Sequence, residues 1–139
     1  MLRALALLAL AGGLLVASGC GSDSESSSSG DQAAEAESTP AQVLAEIVTI
    51  RTLLDDAVAK YASGDHSGAA DDVGDIYLEH YEHVEGPLGD VNHDLMEEIE
   101  EKLSTDLRTS MNDGADQSEI DSLVSEIEAG LDQAEQELS

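Results

Sequence analysis

The chemistry-bearing residues of this chain crowd into one stretch, Glu79-His80-Tyr81-Glu82-His83-Val84-Glu85. Carboxylates and imidazoles three or four residues apart on a helix project onto one patch and can share a cation. At ~100° per residue, Tyr77, Tyr81 and Val84 should face a core. Glu79 and His83 should stand on one outer edge, and Glu82 and Glu85 on the other flank. Further along, His93, Glu97 and Glu100 repeat the spacings of four and three. A turn at Gly86 to Asp90 would place Glu82 and Glu85 level with His93 and Glu97. Paired carboxylates suit hard ions such as ferric iron, and imidazole suits Fe, Zn and Cu. The candidate metal ligands are therefore Glu82, Glu85, His83, His93 and Glu97.

A plainer reading stands beside this one. The chain has 31 acidic residues against 5 basic ones and a formal net charge of −26. In such a chain, glutamates three apart also arise as a solvated face, as Glu97-Glu98 with Glu100-Glu101 illustrates. Glu85 has a second option, a structural ion pair with Arg51 at the core edge of the first helix. Glu82 and Glu85 are thus either ligands or structural charge pairs. His66 has no partner at useful spacing and should be solvated.

Composition removes whole classes of function. With no basic surface to displace counterions from phosphates, nucleic acid is not a partner. One cysteine, Cys20, excludes a disulfide framework. No G-x-S-x-G, H-E-x-x-H, glycine-rich phosphate loop or C-x-x-C occurs, and a small bundle without Phe or Trp has little from which to build a substrate cleft. The chain is not expected to be an enzyme.

The elements that must hold these residues are helices. Thr39-Pro40-Ala41-Gln42 combines an N-cap threonine, Pro at the first helical position and Gln at the third. The first helix should run to Ser63, with Gly64 as left-handed cap. Val43, Ile47, Ile50, Leu54, Ala57, Val58 and Tyr61 share its inner face. The second should run from Ser67 to Glu85, ended by Gly86-Pro87, on a stripe of Ala70, Val73, Tyr77, Tyr81 and Val84. The third, about 91–112, carries Leu95, Met96, Ile99, Leu103 and Leu107 and ends at Gly114. The fourth opens at Asp116-Gln117-Ser118-Glu119, a second capping-box pattern, and buries Ile120, Leu123, Ile127, Leu131, Ala134 and Leu138. Short turns between helices of similar length predict an all-α, up-down four-helix bundle over 39–139. Gly74 and Gly130, inside helices, predict close helix approach.

Ahead of the bundle, Arg3, an apolar run from Ala4 to Val16 and Ala17-Ser18-Gly19-Cys20 have the layout of an export signal. Small residues running into cysteine resemble a prokaryotic lipoprotein signal. That resemblance implies cleavage after residue 19, acylation of Cys20, and attachment to the extracytoplasmic face of the cell membrane. Two or more acyl chains anchor stably where one does not. Residues 20–38, with no aliphatic side chain larger than Ala after Cys20, should form a disordered acidic tether. The acidity of the helices predicts self-repulsion at low salt that fades as the Debye length falls to ~3 Å near 1 M, as suits a saline habitat.

Tyr61-Ala62-Ser63-Gly64-Asp65, Ala69-Ala70, Asp75-Ile76-Tyr77-Leu78 and Tyr81-Glu82-x-Val84-Glu85-x-x-Leu88, followed by Leu95, Ile99-Glu100, Leu103 and Leu107-Arg108, resemble a known module. It is the extracytoplasmic helical module of prokaryotic high-affinity iron permeases. The resemblance spans about residues 44–114. It implies a helical bundle outside the membrane, associated with iron uptake, in which Tyr77, Tyr81, Glu82, Glu85, Glu100 and Arg108 match the motif. The permease membrane helices and their Arg-Glu-x-x-Glu motifs are absent from this sequence, and His80 and His83 are not part of the pattern. The expected function is a membrane-anchored lipoprotein that binds or presents a metal cation, iron first, beside an iron permease. The alternative is a non-catalytic interaction or sensing bundle without metal, its acidity reflecting salt adaptation.

Overall fold

A computed structural model describes residues 39–139; the signal, Cys20 and the tether lie outside the described residues. Thr39 opens the first helix as its spacing requires. Its hydroxyl accepts from the Gln42 amide, and the Gln42 side chain takes the Thr39 amide proton at 2.9 Å. Helix α1 is Pro40–Ala62, and Gly64 follows at φ +98°, a conformation that costs glycine little. Helix α2 spans 66–91, α3 spans 93–113 and α4 is Gln117–Glu137. Gly114, at φ +71°, closes α3. Among the described residues the chain is all-α, with four helices and no strand.

Side-chain pairs fix the direction of each helix. Glu46 meets His80 and Lys60 meets Asp72, so α1 and α2 run antiparallel. Tyr81 meets Met96 and Arg108 meets Ala70, so α3 runs against α2. Lys102–Glu126 and Asn92–Glu137 set α4 against α3. Tyr61–Ala115 and Arg51–Asp132 bring α4 back alongside α1. The buried residues are aliphatic side chains, Met111, two tyrosines and small residues, and no polar or charged residue is buried among the described ones. The inner faces match the expected stripes, with Val58, Tyr77, Met96, Leu123 and Leu138 half-buried at their edges.

Three expectations are corrected. Gly86-Pro87 does not end α2, which continues through Pro87 to Val91. Leu88, fully buried four residues after Val84, gains about 1.5–3 kcal/mol of burial, which offsets the ~3 kcal/mol of an internal proline. The break falls instead at Asn92, which leaves helical geometry at φ −152° and ψ 85° and whose side chain accepts from the Leu95 amide at 3.1 Å and caps α3. Asp116 makes no capping bond; the Glu119 carboxylate accepts from Ser110 on α3. Arg51 does not reach Glu85. It binds Glu128, Asp132 and Glu135 on α4 at 3.4, 2.7 and 3.1 Å, because α4 returns beside α1.

Two wider π-type turns interrupt α2 at Tyr77–Tyr81 and α3 at Lys102–Leu107. At the first, the Glu82 amide reaches back five residues to the Tyr77 carbonyl, so one extra residue is taken up in a single turn.

Gly74 and Gly130 both stand at tight approaches. A Cβ on Gly74 would lie 3.1 Å from Arg108 Cζ, and one on Gly130 would lie 2.7 Å from Ile99 Cγ1. Ile99 is a core side chain and must move to admit it. Gly86, with open space around it, is different. Gly130→Ala should therefore destabilise by roughly 1 kcal/mol net, overpacking of ~1–3 outweighing a helix-propensity gain of up to ~1. Gly86→Ala should stabilise by about 0.5–1 kcal/mol. Thermal melts in molar salt measure both; a Gly130→Ala protein as stable as the parent would contradict the packing.

Candidate functional site

The π turn in α2 decides which carboxylates meet. In an unbroken α-helix, residues eight apart lie ~80° from one face; with one residue absorbed by a wide turn they behave as seven apart, ~20° off. Tyr77 and Glu85 therefore share a face, and that face looks at α3. The Tyr77 hydroxyl donates to Glu100 Oε1 at 3.2 Å. It also stands within reach of Glu85, but one phenolic proton cannot serve two carboxylates at once. Glu85 Oε1 is buried and has no hydrogen-bond partner. Tyr81, fully buried, stacks on Tyr77 with ring centroids 6.2 Å apart and donates to the Met96 carbonyl at 2.7 Å.

The result is a half-buried group of two carboxylates and a phenol against an aromatic floor, in the seam between α2 and α3. Its electrostatics are those of negative charge held out of water. Burial, opposed by the Tyr77 hydroxyl and reinforced by the charges of Glu100 and Glu82, raises the Glu85 carboxyl above its ordinary range. Burial, then Glu85 and Glu100, push the Tyr77 phenol far up; burial and the same two carboxylates do so for Tyr81. A cation lodged here would satisfy the orphaned oxygen and relieve the repulsion together.

The other candidates are placed differently. Glu82 and His83 are exposed. His93 and Glu97 pair with each other at 3.3 Å, both over 60% exposed. Among the described residues, no three His, Cys, Asp or Glu side chains converge as a metal-holding group as they lie. With the turn at Asn92 rather than at Gly86, the expected meeting of Glu82 and Glu85 with His93 and Glu97 is not formed. His66 is not simply solvated: its ring stacks on Tyr61 at 4.1 Å. Arg108 lies across Gly74, its Nε donating to the Ala70 carbonyl at 3.4 Å. Sequence reasoning left out Glu46, which holds His80 at 2.8 Å. Its only sequence signal is its place beside Ile47 at the edge of the α1 stripe.

No family model, curated protein or solved structure matches this chain. Among the described residues no helix is long and apolar enough to cross a membrane.

Because the folded chain holds the Glu85 proton more tightly than the unfolded chain does, that contribution to stability is complete below the ordinary carboxylate pKa of ~4.3 and is lost as pH rises past the folded value. Glu85→Gln removes the charge and supplies amide donors for Glu100. It should raise stability by up to ~1 kcal/mol at pH 7, solvent screening of this half-exposed carboxyl keeping the gain small, and the gain should shrink as pH falls toward the ordinary carboxylate range. Melts across that pH range check this; a variant less stable than the parent at pH 7 would overturn the view of Glu85 as a strained charge.

Proposed function

We propose that this chain is a non-catalytic, lipid-anchored extracytoplasmic protein whose up-down four-helix bundle binds a metal cation, iron first, and presents it to an uptake permease at the membrane surface. The observation that carries the cation is the unpartnered, buried oxygen of Glu85 beside Glu100 and Tyr77. Three oxygen donors with no imidazole favour a hard ion of high charge, and a phenol ligand would lose its proton to such an ion. Exposed Glu82, next to the seam, adds a carboxylate at its mouth. The net charge of −26 raises the local concentration of any cation. The address rests on the apolar run ending in Ala17-Ser18-Gly19-Cys20, and the iron permease as partner rests on the resemblance over residues 44–114.

A docking or sensing bundle without metal is the second reading. It is favoured by the spread of acids over every helix, with His93 and Glu97 bonded only to each other.

Calorimetry of the detergent-solubilised chain in molar salt, with Fe(III) as a weak soluble chelate, separates the two. Binding should be tighter than ~1 mM and should weaken at least about tenfold in Glu85→Gln and in Glu100→Gln. Unchanged affinity in both variants would remove the seam as the site, and no binding would leave the second reading. In cells, Cys20→Ala should abolish lipid labelling; labelling that persists would rule out the anchor.

A further inference from the structure

On the other side of α2, facing α1, lies a groove of about 470 Å³. Leu53 and Ile76 form its apolar floor, and Asp56, Asp75, Glu79 and His80 line it. The one ammonium beside it, Lys60, is already held by Asp72. Asp75 and Glu79, four apart on α2, are exposed and free to turn.

His80 is set differently from the other histidines. Its Nδ1 meets Glu46 Oε2 of α1 at 2.8 Å, with the side chains only 24% and 31% exposed. An ionised carboxylate only accepts, so Nδ1 donates to it, and Nε2 is the ring nitrogen left over for a metal. Nε2 has no partner among the described residues. A carboxylate that fixes the tautomer and aim of an imidazole is the usual outer support of a metal-binding histidine. By contrast, His93 and its partner Glu97 are both largely exposed.

We propose that His80, oriented by Glu46, forms with Asp75 and Glu79 an exchangeable site for a divalent transition-metal ion in the α1–α2 groove. One neutral imidazole with carboxylates suits borderline ions such as Zn(II), Co(II) or Ni(II). The carboxylates close on the ion when it arrives, and water fills the remaining positions. The donors are separate from Tyr77, Glu85 and Glu100, so this site and the α2–α3 seam stand or fall independently.

The test is Zn(II) titration of the full chain in mild detergent at pH 7, followed by calorimetry and by the His ring proton resonances. One saturable event should shift the His80 ring signals. Glu46→Gln should weaken it 10–100-fold, and His80→Ala should abolish it. His93→Ala should leave it unchanged. Wild-type Zn(II) affinity in Glu46→Gln, even with a lowered Tm, would mean that Glu46–His80 is a helix-to-helix ion pair only. If His80→Ala does not fold, the wild-type spectrum still decides: His80 ring signals unmoved by Zn(II) overturn the proposal.

Discussion

The contact on which the rest depends is the seam between α2 and α3, where the Tyr77 and Tyr81 rings pack with centroids 6.2 Å apart and reach α3 through their hydroxyls. These are two of only three tyrosines in a chain without Phe or Trp. Each ring buries a large area and brings a donor that must be satisfied. Tyr81 finds a backbone carbonyl. Tyr77 finds Glu100, and in doing so holds a carboxylate in the seam and leaves Glu85 without the same proton. The seam thus joins aromatic packing to the bundle's least comfortable charge arrangement.

That tension is general to the molecule. A thin core of Ile, Leu, Val and Ala must hold four helices together against their own charge. Glycines at Gly74 and Gly130 let the helices close on Arg108 and Ile99. The scarce cations are used as clamps: Arg51 gathers three carboxylates of α4, Lys60 holds α2 and Lys102 holds α4. Each pair is partly exposed and contributes little alone. Screening by salt, or neutralisation by bound cations, would do more for compactness than any one of them.

The helical faces were legible because a 3.6-residue period survives any turn chemistry. Val43 to Tyr61 and Ile120 to Ala134 could be read directly, and so could the Thr39 box and the caps at Gly64 and Gly114. The π turns left no such mark. Tyr77, Tyr81, Val84 and Leu88 are spaced by three and four with or without an extra residue, so the sequence alone puts Glu85 on an outer flank with Glu82 instead of toward α3. Pro87 carries the local signal of a helix end, and only the burial of Leu88 beyond it overrides that signal. The partners of Arg51 and His80 lie on other helices, at sequence distances where no periodicity speaks.

The central claim is that the α2–α3 seam takes up a hard, highly charged cation. Terbium(III), a hard trivalent ion that luminesces when a nearby tyrosine passes it energy, reads this directly in a protein with three tyrosines and no tryptophan. Excited through tyrosine, emission should rise to saturation, survive Tyr61→Phe, and vanish when Glu85 and Glu100 are both changed to Gln. No sensitised emission, or emission undiminished in that double variant, would contradict the account.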